Sequence, residues 1–203
     1  QDNYQGLEAL FNYHFAREQE NGVIPRGNFS LNEKCQLFLD KVVVDFATVT
    51  ASFEDEYIFC WLDWDGDNIL MDGGIIDYGS VRQLGLFHHE YRYDDIERFS
   101  TSISEQKHKA RYIVQNFIQM VDFLKTKKKN NLHNFSHHPS LRKFDQTFMS
   151  CKDQNLLKKI GLRKDMVRAV FEKHRSLVTQ FRREFSYFER VKSKQGIYKV
   201  PDG

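Results

Sequence analysis

The sequence predicts an α+β fold that is mostly helical, with one small β-hairpin near its middle. Three observations predict it. Two Ser-x-x-Glu boxes open amphipathic runs, a third and longer run carries an apolar stripe at helical spacing, and an Asp-Gly pair sits between two short apolar stretches. Composition agrees: 18 Phe and 9 Tyr beside 2 Trp, with only 11 Gly and 3 Pro, suit aromatic packing between helices better than a turn-rich β-sandwich.

The first box is Ser30-Leu31-Asn32-Glu33, in which the serine oxygen and the glutamate carboxylate satisfy orphan backbone donors of a first turn. A helix is expected from there to about residue 52, with Leu37, Leu39, Val42, Val43, Phe46, Ala47 and Val49 inward. The β-branched run Val42-Val43-Val44 lowers helix propensity, so burial on several sides must hold this helix. Residues 57–62 read as a short buried strand or an extended entry into a loop. The second box, Ser102-Ile103-Ser104-Glu105, opens a helix with Ala110, Ile113, Val114, Phe117, Ile118, Val121 and Leu124 on one face. Lys125 to Lys129 and His133 to Pro139 then read as a basic, polar loop. From about residue 162 to 191 runs a long amphipathic helix with Val167, Val170, Phe171, Leu177, Val178, Phe181, Phe185 and Phe188 on its apolar side, and His174 expected among them as a hydrogen-bonded core histidine.

The chain has 203 residues, 40% hydrophobic and 29% charged, which excludes an acidic disordered tail, and it holds no apolar run long enough to span a membrane. Its three cysteines, Cys35, Cys60 and Cys151, are widely spaced and form neither a disulfide framework nor a zinc pattern. A reducing compartment is therefore expected: cytoplasmic, meaning a bacterial cytosol or, in a eukaryote, a mitochondrion. The start at Gln1, without an initiator Met or a signal-peptide pattern, leads to the expectation of a trimmed or partial chain.

A formal charge of +2 hides an asymmetry. Residues 1–51 carry −3, residues 52–97 carry −10 and residues 98–203 carry +15. Clustered carboxylates repel one another in a compact state, and a bound divalent cation is a reason to keep them. The basic third spreads its Lys and Arg along helical patterns, so nucleic acid is not the expected partner.

The acidic segment holds the motif with chemistry in it. In Asn68-Ile69-Leu70-Met71-Asp72-Gly73-Gly74-Ile75-Ile76-Asp77, a two-residue turn at Asp72-Gly73 would pair 71 with 74 and 68 with 77. Opposed residues of an antiparallel pair have Cβ atoms about 4.5 to 5.5 Å apart. Asn68 and Asp77 would then offer two oxygen ligands to one hard cation. An Asp-Gly turn between Asn and Asp is also common as plain turn chemistry. Five aspartates between 63 and 77 tilt the reading toward a metal. The histidine pairs 88–89 and 137–138 lack a third ligand at metal spacing and read as loop histidines, and Cys60 reads as a buried thiol.

The stretch Trp61-Leu-Asp-Trp-Asp-Gly-Asp-Asn-Ile-Leu-Met-Asp-Gly-Gly-Ile-Ile-Asp-Tyr-Gly79 resembles the active-site segment of the selenoprotein O (YdiU) family, kinase-fold proteins that move AMP from ATP onto Ser, Thr or Tyr hydroxyls of other proteins. The resemblance rests on an Asp-Asn pair, a hairpin and Ile-Asp-Tyr-Gly, and it weakens over about 80 residues toward the helix near Ser102. It implies a protein-kinase-like fold, with residues 1–203 a helical C-lobe lacking the N-lobe and residues 57–80 the catalytic and metal-binding segment. It also implies that Asn68 and Asp77 hold Mg²⁺ or Mn²⁺ on ATP, and that Asp67 is the base. Trp61-Leu62 and Asp65-Gly66 stand where the family has His-Gly and Asn-Thr. Asp63, five residues before Asn68, has the spacing at which ordinary kinases place the aspartate that accepts the substrate proton, so Asp67 and Asp63 both remain candidates.

The expected activity is thus metal-dependent protein adenylyl transfer, with protein hydroxyls and ATP as partners and no membrane. A phosphotransferase and a catalytically silent pseudokinase scaffold are the alternatives. Neither a Walker loop nor a GxGxxG loop is present, and only 4 Lys or Arg precede Asp63. The nucleotide clamp is expected to be largely missing, so the chain alone is expected to bind ATP weakly.

Overall fold

A computed structural model describes residues 3–55, 59–61, 68–71, 74, 76, 81–83 and 105–191. Five α-helices account for most of them: α1 (Tyr4–Glu20), α2 (Leu31–Asp55), α3 (Glu105–Thr126), α4 (Pro139–Lys159) and α5 (Lys164–Val191).

Each helix start has a local cause. Asn3 accepts from the Gly6 N–H at 2.9 Å and caps α1. The capping box of α2 forms as the sequence requires: the Glu33 carboxylate accepts from the Ser30 N–H at 2.8 Å, and the Ser30 hydroxyl oxygen accepts from the Glu33 N–H at 3.4 Å. Pro139 sits in the first turn of α4, where its missing donor costs nothing, and His138 Nδ1 accepts from the Ser140 N–H at 3.2 Å. Gly161, with φ of +94°, ends α4; the bonds Gly161 N–H to Lys158 O and Leu162 N–H to Leu157 O close a Schellman turn into α5.

Helices α1 to α4 pack round one core built from Phe11, Cys35, Phe38, Val42, Val43, Phe46, Val114, Ile118, Leu124, Leu141, Phe144 and Phe148. Phe38 meets Phe11 and Phe117 edge-on, with ring centroids 5.5 and 5.6 Å away. Of the β-branched run, Val42 and Val43 are buried and help hold it helical, while Val44 is exposed, so burial is on one side of the helix here. Ion pairs lace the helices together at the rim: Lys143 with Asp40, Lys152 with Glu54 at 2.9 Å, and Lys107 with Asp145 at 3.0 Å.

The expected α+β, kinase-like fold with a metal-bearing hairpin is corrected by this structure. The described residues are a helical body, with no sheet layer among them. Among the described residues the strands are two three-residue segments, Phe59–Trp61 and Val81–Gln83, which pair antiparallel with Cys60 opposite Arg82. Nor do residues 68–76 form the two-residue hairpin. Leu70 donates to Gly74 O at 2.7 Å and Ile76 donates to Asn68 O at 2.9 Å, so residue 68 is tied to 76 and three residues, not two, lie between the bonded 70 and 74. The physical reason is burial. Ile69, 8% exposed, joins the helical core with Met71 packed beside it, and that docking sets the phase of the turn.

Candidate functional site

The candidate segment begins where α2 ends. Past the end of α2, Ile69 belongs to the same buried cluster as residues of α2 and α3. Alternation then follows: Ile69 is buried and Met71 half-buried, while Leu70 and Ile76 face outward. The turn is thus fastened by one face and presents the other. Asn68, half-buried, stands at its foot beside the Ile69 anchor.

Of the predicted site residues, Asn68 is placed by the structure; Asp63, Asp67 and Asp77 lie outside the described residues. So do His88, His89 and the side chain of Cys60. The metal-site register expected for residues 68 and 77 is not the one observed at 68 and 76. In sequence, Asn68 and the aspartates on either side of it are oxygen ligands of the kind that Mg²⁺ takes, and of these Asn68 alone lies among the described residues. Among the described residues there is no cluster of three or more His, Cys, Asp or Glu able to hold a metal. Glu54, the acidic side chain of residues 52–97 that is described, is already held by Lys152.

The weaker candidates have structural duties. His138 caps α4, and burial followed by the charge of Lys125 pushes its pKa down. His137 is exposed. His174, expected in the core, is instead exposed at an interruption of α5, where its φ of −133° breaks the helical run. Sequence reasoning missed Ile69 as the anchor of the motif. Ile69, Leu70 and Met71 are all apolar, so periodicity carried no signal of which of them turns inward.

Among the described residues no helix is long and apolar enough to cross a membrane. The chain matches no protein-family model, no curated protein and no solved structure.

Proposed function

We propose that residues 57–80 carry a metal-dependent adenylyl transfer from ATP to Ser, Thr or Tyr hydroxyls of proteins. The single observation that supports the reading is the order Asp67-Asn68, apolar turn, Asp77-Tyr78-Gly79 in the most acidic part of the chain. The anchoring of Ile69 in the helical core is consistent with it, because a catalytic turn must be held by something rigid.

In this reading Asn68 and Asp77 hold Mg²⁺ or Mn²⁺, which neutralises phosphate charge when bound. Asp67 orients the acceptor hydroxyl and takes its proton. The hydroxyl oxygen forms a bond to the α-phosphorus, the bond from that phosphorus to the bridging oxygen breaks, and pyrophosphate leaves with the electron pair. The spacing of Asp63 favours a second reading, transfer of the γ-phosphoryl group.

Labelled ATP separates the two. Adenylyl transfer puts α-phosphate label into protein and releases labelled pyrophosphate from β- or γ-label; phosphoryl transfer puts only γ-label into protein. Asn68→Ala and Asp77→Ala are expected to lower the rate at least about a hundredfold, as loss of an electrostatic stabiliser does. Full activity in Asp77→Ala would sink the assignment.

A further inference from the structure

We infer that the lysine loop joining α3 to α4 is a docking surface for acidic polypeptide segments of partner proteins. The inference goes beyond the transfer chemistry and does not rest on it. Residues 125–138 contain Lys125, Lys127, Lys128 and Lys129 and no Asp or Glu. The four lysines are all exposed. Several basic side chains elsewhere meet carboxylates: Lys41 with Asp45, Lys143 with Asp40, Lys107 and Arg111 with Asp145, and Arg182 with Asp153. In the loop, Lys125, Lys127 and Lys128 form no ion pair with any described carboxylate. Asp122, which accepts from Asn130 Nδ2 at 2.7 Å, is a described carboxylate at the foot of the loop, and like charges clustered beyond it favour an anionic partner.

The loop is built to present these charges. Gln119 Nε2 donates to Asn130 O at 2.7 Å, Gln115 Nε2 donates to Leu132 O at 2.8 Å, and Thr126 Oγ1 accepts from the Lys128 N–H at 3.2 Å. Backbone acceptors that would temper the positive potential are thereby turned toward helix side chains. Lys127 adopts a left-handed φ of 58°, with its ammonium 4.8 Å from the centre of the Tyr4 ring. Glycine suits that conformation at lower cost, so a lysine there trades backbone ease for a charge. One lysine in the last turn is enough to complement the dipole of α3, and Lys125 fills that place. The other three lie beyond it. At the far side of the loop stands the positive end of α4, whose first turn contains no acidic residue.

The surface chemistry selects the class of partner. No large apolar side chain is exposed between 125 and 138, so nothing there inserts into a lipid interface. Phe135 is half-buried and the loop has no arginine, so base stacking and bidentate phosphate capture are both missing. A patch confined to one end of the bundle is also shorter than the stripe that tracks a duplex. Carboxylate clusters on a flexible peptide need only point charges, which lysine supplies.

A labelled oligoglutamate peptide is the probe, titrated by fluorescence anisotropy at low and physiological salt. The charge reversal Lys125→Glu, Lys127→Glu, Lys128→Glu is expected to weaken binding about tenfold or more at low salt. The milder Gln triple at the same positions weakens it in the same direction without installing repulsion. A control with equal charge change on α5, Arg168→Glu, Lys173→Glu, Arg183→Glu, is expected to stay within about twofold of the parent. Equal loss in the loop and control triples, or no loss in either, overturns the docking surface. So does tighter binding of the parent protein to a short DNA duplex or to phosphatidylserine vesicles than to the peptide.

Discussion

The bundle of α1 to α4 and the helix α5 are built on different principles. In the bundle, large side chains such as Phe15, Phe38, Phe46 and Phe144 are fully buried, and α2 packs against both α3 and α4. α5 is the longest helix, with 28 residues, yet it buries only Val167 and Val178 among its described residues, while Met166, Leu177, Phe181 and Phe185 stay exposed. Its attachment combines a small apolar cluster of Leu157, Val167 and Val178 with polar ties. Asp153 of α4, 3% exposed, accepts hydrogen bonds from the Arg182 guanidinium and from Thr179 Oγ1. A second polar tie joins them where Arg175 donates to Ser150 Oγ at 3.0 Å, so α5 is held at a few points while the bundle is held by continuous apolar volume.

Three substitutions break or sharpen that contrast. The largest effect is expected from Phe46→Ala, which empties a fully buried site against Phe117 and costs about 3 to 5 kcal/mol. Urea unfolding followed by helical circular dichroism should show the whole bundle losing stability together, and a loss under about 1 kcal/mol would contradict a close-packed core. Next comes Asp153→Ala. It strands a half-buried guanidinium and is expected to cost about 3 kcal/mol, but locally: hydrogen-exchange protection should fall across 164–185 and persist in 31–55. Uniform loss of protection would show that α5 is part of the bundle's cooperative unit after all.

The smallest effect belongs to the α2 cap. Hydrogen bonds from the Ser30 side chain, then from the Ser30 backbone, hold the Glu33 carboxyl below its ordinary value. A lowered folded-state pKa means the contribution is complete above the unfolded carboxylate range and fades as pH falls through the folded value. Ser30→Ala should therefore lower Tm at neutral pH by more than it does at pH values below the folded pKa of Glu33. An equal shift at both would show that the box contributes nothing through Glu33.

Helices α2, α3 and α5 were legible because each pairs apolar periodicity with a clear start or a long run. α1 and α4 were not. In α1, Leu10 and Tyr13 are exposed beside buried Phe11 and Phe15, so its apolar residues do not keep to one face. In α4, Pro139 reads as the end of a polar loop, although proline in a first turn opens a helix as readily as it closes a loop. The Asp-Gly pair predicted pairing of 68 with 77, and local turn chemistry could not anticipate that Ile69 would join the helical core, where the observed bonds tie 68 to 76 and 70 to 74. His174 shows the same limit from the other side. Periodicity placed it on an apolar face, and only packing decides whether a face is covered.

One buried thiol turns the core into a clock. Cys35 is wholly enclosed by the bundle, and burial pushes its pKa up, so both access and the reactive thiolate are withheld together. Its sulfur can be alkylated only during excursions in which α2 parts from its neighbours. The rate at which a thiol reagent consumes Cys35, set beside the rate for the less enclosed Cys151 on α4, therefore counts how often the centre of this molecule opens.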